Sequence, residues 1–211
     1  MWFVKLDVEH FFETADHGVL RRLLRRHLKD RRLLALCDRF IDAGCPGSPP
    51  GKGMPIGNLT SQHFANFYLS PLDHFVRRTL RAPAYVRYMD DMLCFGPDKV
   101  AVRQWRDGVE AFAARELSLR LRPDAERLGP VRVGVPFLGF RVWPGLVRFD
   151  AARARRLRRR LRGLSRVADD DERARRVQSV VGWAAQGDTA RLRASVLRRI
   201  EADAYAGGGE G

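Results

Sequence analysis

Cysteine is scarce and scattered: Cys37, Cys45 and Cys94 are the three in 211 residues, and no two form a C-x-x-C pair. That excludes a disulfide framework and reads as reduced, structural thiols. His10, His17, His27, His63 and His74 show no zinc-ligand spacing with them. No apolar run approaches the roughly 20 residues of a membrane span. The start Met1-Trp2-Phe3-Val4-Lys5 is not a signal peptide, so the expectation is a cytoplasmic protein with no membrane partner. Lysine is nearly missing as well, confined to Lys5, Lys29, Lys52 and Lys99.

What is present is arginine. Lys+Arg number 39 against 25 Asp+Glu, a formal charge of +14 with a pI near 10.9. A surplus of that size favours a polyanionic partner, because neutralised phosphates release counterions. It does not define a chemistry. Hydrophobic residues make up 45% of the chain, enough for one packed domain plus a small appendage.

The chain opens on a strand, with Phe3, Val4, Leu6 and Val8 interrupted by Lys5 and Asp7. Asp16 is placed to cap a helix whose apolar face is Val19, Leu20, Leu23, Leu24 and Leu28. A second helix from about Arg31 carries Leu33, Leu34, Leu36, Cys37, Phe40 and Ile41. Residues 44–57 are too rich in glycine and proline for helix or strand. A long helix runs from Asn58 to Leu80, ended by Pro83. Tyr85–Tyr88 and Met92–Phe95 then form a β-hairpin around Met89-Asp90-Asp91. Residues 100–118 are helical, and short strands are expected near 117–122, 131–134 and 137–142. Beyond Asp150 the pattern is helical and arginine-rich, with Leu157, Leu161, Leu164 and Val167 on one stripe. Further helices are expected near 171–186 and 188–204, before a Gly-rich tail.

Three carboxylates stand out. Asp is depleted in strands, and a buried unpaired charge is costly, so Asp7 between Leu6 and Val8 demands a reason. Asp90 and Asp91 alone would pass as turn formers. If the first strand lies beside the hairpin, all three converge. Divalent cations about 3.5–4 Å apart, bridged by such carboxylates, serve in-line phosphoryl displacement, and magnesium prefers oxygen ligands.

At these residues the sequence resembles a known family. Tyr88-Met89-Asp90-Asp91 resembles the Y-x-D-D motif of reverse transcriptases, and Lys5 to Phe12 resembles their first catalytic motif. Gly53 to Gln62 resembles their nucleotide-facing loop and helix, and Phe137-Leu138-Gly139-Phe140 their primer grip. The four motifs occur in the family's order across about residues 2–145.

The resemblance implies an α+β fold, a polymerase palm whose antiparallel sheet is backed by helices. The palm would span residues 1–149, and a small all-helical thumb 150–211. It implies two Mg2+ ions held by Asp7, Asp90 and Asp91, with the Val8 carbonyl a further ligand. Phe12 would exclude a ribose 2′-hydroxyl. Ile56, Gly57, Tyr88 and Met89 would line the nucleotide site. The partners implied are an RNA template, a DNA or RNA primer and dNTPs, with an accessory protein left open. Ile56-Gly57 and Ser61-Gln62, in place of the usual Gln-Gly and Ser-Pro, resemble bacterial diversity-generating retroelement enzymes, related to group II intron types. Those enzymes copy adenines with low fidelity.

Two features depart from the family pattern. Asp7 stands too near the start of the chain for the usual fingers segment to precede it. The stretch Leu121 to Arg127 also lacks the lysine expected to protonate the leaving group, and arginine is a poor proton donor. The alternative expectation is a catalytically incomplete remnant that binds nucleic acid or a partner.

Overall fold

The computed structural model describes residues 1–55, 57–164 and, beyond them, 172, 175, 176, 178, 179 and 182. The chain divides into two compact units, Met1–Val131 and Arg132–Gly211.

The first unit runs β1 (Trp2–Leu6), α1 (Phe11–Thr14), α2 (His17–His27), α3 (Arg31–Asp42), α4 (Leu59–His74), β2 (Ala84–Tyr88), β3 (Asp91–Gly96), α5 (Lys99–Leu117) and β4 (Arg127–Pro130). Its four strands form one antiparallel sheet in the order β2-β3-β1-β4. Side chains alternate across a strand, and one face of the two central strands packs on the helices. Val4, Leu6, Met92 and Cys94 join one cluster with Tyr68, Leu69 and Leu72 of α4 and Val102, Val109, Ala113 and Leu117 of α5. The helices therefore back one face of the sheet, and Lys5 belongs to the other.

Local chemistry explains the helix limits. The Asp16 carboxylate accepts from Val19 N at 3.0 Å, and Asp30 accepts from Arg32 N and Leu33 N at the start of α3, each satisfying orphan amides of a first turn. Pro71 sits inside α4 and has no N–H to offer the carbonyl one turn back. Ser70 Oγ donates to that carbonyl, Phe67 O, at 2.8 Å. A π turn, Phe75–Thr79, extends the helix, and Arg81 at φ 51 ends it just before Pro83.

Three expectations need correction. Of the apolar residues on α3, Cys37 and Ile41 are buried, but Leu33, Leu36 and Phe40 are 42%, 48% and 40% exposed. Their i, i+3, i+7 spacing puts them together on the outward side. Residues 117–122 form no strand beyond an isolated bridge, Val8 to Leu121, because Pro123 starts a 3-10 turn. The edge strand is β4 instead, closed by Pro130 where a missing N–H costs no ladder bond. Residues 131–133 then form a 3-10 turn rather than a strand.

In the second unit, β5 (Val135–Phe137), β6 (Phe140–Trp143) and β7 (Leu146–Phe149) form an antiparallel meander, followed by α6 (Ala151–Leu164). Phe137 pairs with Phe140, leaving a two-residue turn in which Leu138 and Gly139 have φ 49 and 75. Positive φ at both positions is the twist-matched hairpin turn. The leucine stripe of α6, the helix expected near 188–204 and the Gly-rich tail lie outside the described residues or side chains; of the helix expected near 171–186, the described residues 172, 175, 176, 178, 179 and 182 are helical. Among the described residues, no helix is long and apolar enough to cross a membrane.

Candidate active site

The β1–β3 register brings the three carboxylates together. It runs from Trp2↔Gly96 to Leu6↔Met92, so Asp7, just past Leu6, and Asp91, just before Met92, lie at the same end of the two strands. β2 and β3 close at Tyr88↔Asp91, which leaves Met89 and Asp90 as the turn. Partial burial pushes the Asp90 carboxyl above its ordinary range, and the charges of Asp7 and Asp91 push it further. A backbone N–H and Arg122 pull part of this back. Three acids that repel one another in this way share one locality.

The surroundings hold cations close. Lys5 Nζ lies 2.7 Å from Asp91 Oδ1, both side chains about 15% exposed. Lys5 faces Leu93 in the register, so Asp91 is its diagonal neighbour on the same sheet face. Arg122 N donates to Asp7 O at 2.8 Å, and its Nη1 lies 3.5 Å from Asp7 Oδ1. That oxygen is buried and accepts no hydrogen bond among the described residues. Lys5 is a member of this cluster beyond the three expected carboxylates. Its signal was a charge two residues before Asp7 in an apolar strand, hence on the same face.

The donor set suits a hard divalent cation: clustered carboxylate oxygens, one of them buried without a hydrogen bond. Among the described residues, no three His, Cys, Asp or Glu side chains are placed as they stand to hold a metal ion together. Val8 is fully buried. The bonds Arg122 N to Asp7 O and Glu9 N to Arg120 O flank the Val8–Leu121 bridge, so the Val8 carbonyl points away from Leu121.

The Gly/Pro-rich loop is clipped to the α1–α2 connection. Gly53 N donates to Ala15 O at 2.8 Å and Met54 N to Phe12 O at 2.7 Å, while His17 Nε2 lies 2.7 Å from Gly53 O. These bonds fasten the loop beside Phe12, whose ring meets Phe11 edge-on at 5.4 Å. Gly53 has φ 91, and a Cβ there would lie 2.5 Å from Ser48 Oγ. Gly57 is exposed with φ 93, and Ile56 lies outside the described residues. Tyr88 is 59% exposed and Met89 half-buried with φ 55. In the second unit, the Phe137–Phe140 hairpin packs on α6. Arg153 stacks over Phe140 with Cζ 4.5 Å from the ring centre, and Asp150 N donates to Gly139 O at 3.1 Å.

The first unit is thus a four-stranded antiparallel sheet backed by helices, with acids at a hairpin turn and at the end of the neighbouring central strand. No family profile matches the chain. It is similar to protein YkfC of Escherichia coli K12, 25% identical over an aligned 177 residues covering 67% of this chain and 46% of YkfC. It is also similar to the group II intron-encoded protein LtrA of Lactococcus lactis subsp. cremoris, 34% identical over 79 residues, which are 36% of this chain and 13% of LtrA. In structure it is similar to telomerase from Candida albicans, solved in complex with a fragment of telomeric RNA. There the TM-score is 0.56 and the identity 11%, over 96% of this chain and 44% of that one. In fold, then, the chain is reverse-transcriptase-like. It spans less than half the length of each of these proteins.

Proposed function

We propose that the chain carries the catalytic palm of an RNA-directed DNA polymerase. The observation that carries this reading is the β1–β3 register, which ends at Leu6↔Met92 and so puts Asp7 and Asp91 at the same end of two paired strands, with Asp90 in the adjoining turn. Asp7, Asp90, Asp91 and the Val8 carbonyl would hold two magnesium ions. When bound, these ions would supply the positive charge that offsets the triphosphate and the charge developing on attacking and leaving oxygens. The protein's own part is placement. β1 and the hairpin fix the carboxylates, and the clipped loop sets Phe12 against the sugar of a dNTP. The Phe137–Phe140 turn would hold a primer end against its RNA template. Arg122 or Arg127 would steady a leaving pyrophosphate electrostatically, and its proton would come from water.

The pattern Ile56-Gly57 with Ser61-Gln62 supports an error-prone enzyme of the diversity-generating retroelement type. An aliphatic side chain in place of an amide removes hydrogen bonds that would align nucleotide and template, and discrimination falls when such bonds are missing.

A second reading, a nucleic-acid- or partner-binding remnant, is favoured by one observation. Lys5 and Arg122 already sit against Asp91 and Asp7, as resident counter-ions would in a site that no longer binds metal. One experiment separates the two: primer extension on an RNA template with magnesium and each dNTP, beside an Asp90→Ala, Asp91→Ala control. Extension that vanishes in the control supports the polymerase, and errors concentrated opposite template adenine support the retroelement type. RNA binding by folded protein without extension supports the remnant.

A further inference from the structure

The turn that carries Asp90 holds a strained residue. Met89 has φ 55, in the left-handed region that a β-carbon disfavours. Such a conformation persists where surrounding contacts over-determine it. The Met89 carbonyl accepts from Arg87 Nη1 at 2.8 Å, and that guanidinium has almost no freedom to be elsewhere. Its Nε donates to Asp73 Oδ1 at 2.7 Å and its Nη2 to Asp73 Oδ2 at 2.6 Å, a two-pronged fork. Its Nη1 also donates to Asn66 Oδ1 at 3.0 Å. Tyr85 O–H donates to Asp73 Oδ1 at 2.8 Å, which fixes the carboxylate in turn. Asn66 and Asp73 are seven residues apart on α4, two turns along one face. The Arg87 side chain is 10% exposed.

We propose that Arg87, locked to α4 by Asp73, is a positioning residue that sets the backbone of the Met89–Asp90 turn and through it the placement of the Asp90 and Asp91 carboxylates. The proposal rests on the polymerase reading for its consequence in catalysis. Its physical core, a guanidinium that rigidly couples a helix to the turn, does not. Lysine cannot replace it, because an ammonium is a point charge without the planar fork and cannot hold Asp73 with two bonds while reaching Met89 O.

The test uses the full chain with Arg87→Lys and, as a gentler probe that keeps shape, Asp73→Asn. Three quantities are read: amide hydrogen exchange of peptides covering residues 88–92, the melting temperature, and primer-extension kcat and KM for dNTP. In Arg87→Lys, exchange at the turn should rise about tenfold or more while the rest of the sheet keeps its protection. The melting temperature should move by a few degrees at most. kcat should fall about 10–100-fold with KM for dNTP within about threefold, since a misplacement near 1 Å costs that order in rate. Asp73→Asn should show the same pattern more weakly, and it decides the matter if Arg87→Lys fails to fold. Unchanged exchange at the turn overturns the proposal. So does acceleration spread evenly over α4, β2 and β3 with a large melting shift, which marks plain packing. Should the wild-type chain extend no primer, the polymerase reading falls, and exchange at the turn still decides the role of Arg87.

Discussion

Lys5 Nζ and Asp91 Oδ1 lie 2.7 Å apart across two antiparallel strands, at the end of the ladder where Leu6 pairs with Met92. Lys5 thus occupies with its own charge part of the space in which a divalent cation would be held. Replacing it by an uncharged side chain of similar length, Lys5→Met, leaves a partly buried carboxylate cluster less compensated. The metal-free variant should lose about 1–3 kcal/mol of stability. Added magnesium should then raise its melting temperature more than that of the wild type, where the ion has an ammonium to displace. Thermal melts with and without magnesium read both effects, and equal gains would remove Lys5 from the competition.

The Asp90 carboxyl is raised above its ordinary value of 3.8 by partial burial first and by Asp7 and Asp91 after it. The sign of its effect on stability is opposite to that of a salt-bridged acid. Between its ordinary and its raised value the unfolded chain releases this proton first, so stability falls as pH rises through that window and stays lower above it. Asp90→Asn has no such loss. In chelator at pH 7 the variant should melt above the wild type, and the gap should close as pH is lowered below about 4. The same variant should show no primer extension. Stability gained where activity is lost is what a strained functional site predicts.

Tyr68 joins three elements through one oxygen. Its O–H donates to Leu117 O at 2.6 Å and accepts from Asp16 N at 3.1 Å, so α4 is tied to the end of α5 and to the cap of α2. Burial is the main reason its proton is held tightly. Tyr68→Phe fills nearly the same volume but leaves a buried carbonyl without its donor. Urea denaturation should show a loss of about 1–3 kcal/mol with little change in slope.

The sequence carried the site more legibly than its supports. Asp7, Asp90 and Asp91 were visible because acids in strands and at a hairpin tip are conspicuous, and the hairpin period predicts which residues face each other. The Asp16 cap and α5 were legible for similarly local reasons. The stripe Leu33, Leu36 and Phe40 was not, since periodicity shows that a helix has an apolar side but not that another element covers it. β4 was hidden because Arg127-Leu128-Gly129-Pro130 lacks strand formers, Leu128 being its one side chain that packs against the core. Lys5 and Arg87 read as ordinary strand charges. Their partners, Asp91 and Asp73, become evident once register and helix placement are known.

Phe12 offers a test of product chemistry that leaves the framework standing. Phe11, its neighbour, is buried at 1% exposure and anchors α1 against Tyr68. Phe12 is half-buried, and its tie to the loop is through its carbonyl to Met54 N, a bond that any side chain preserves. Phe12→Ala should therefore fold, losing about 1–2 kcal/mol for the packing removed. On the polymerase reading, the ring fills the space a ribose 2′-hydroxyl would need, and a steric exclusion relaxes when its bulk is deleted. The ratio of kcat/KM for dNTP to that for the matching rNTP should fall about tenfold or more, chiefly through a gain with the ribonucleotide. An unchanged ratio in a folded, active variant would assign Phe12 to packing alone and leave sugar selection to another residue.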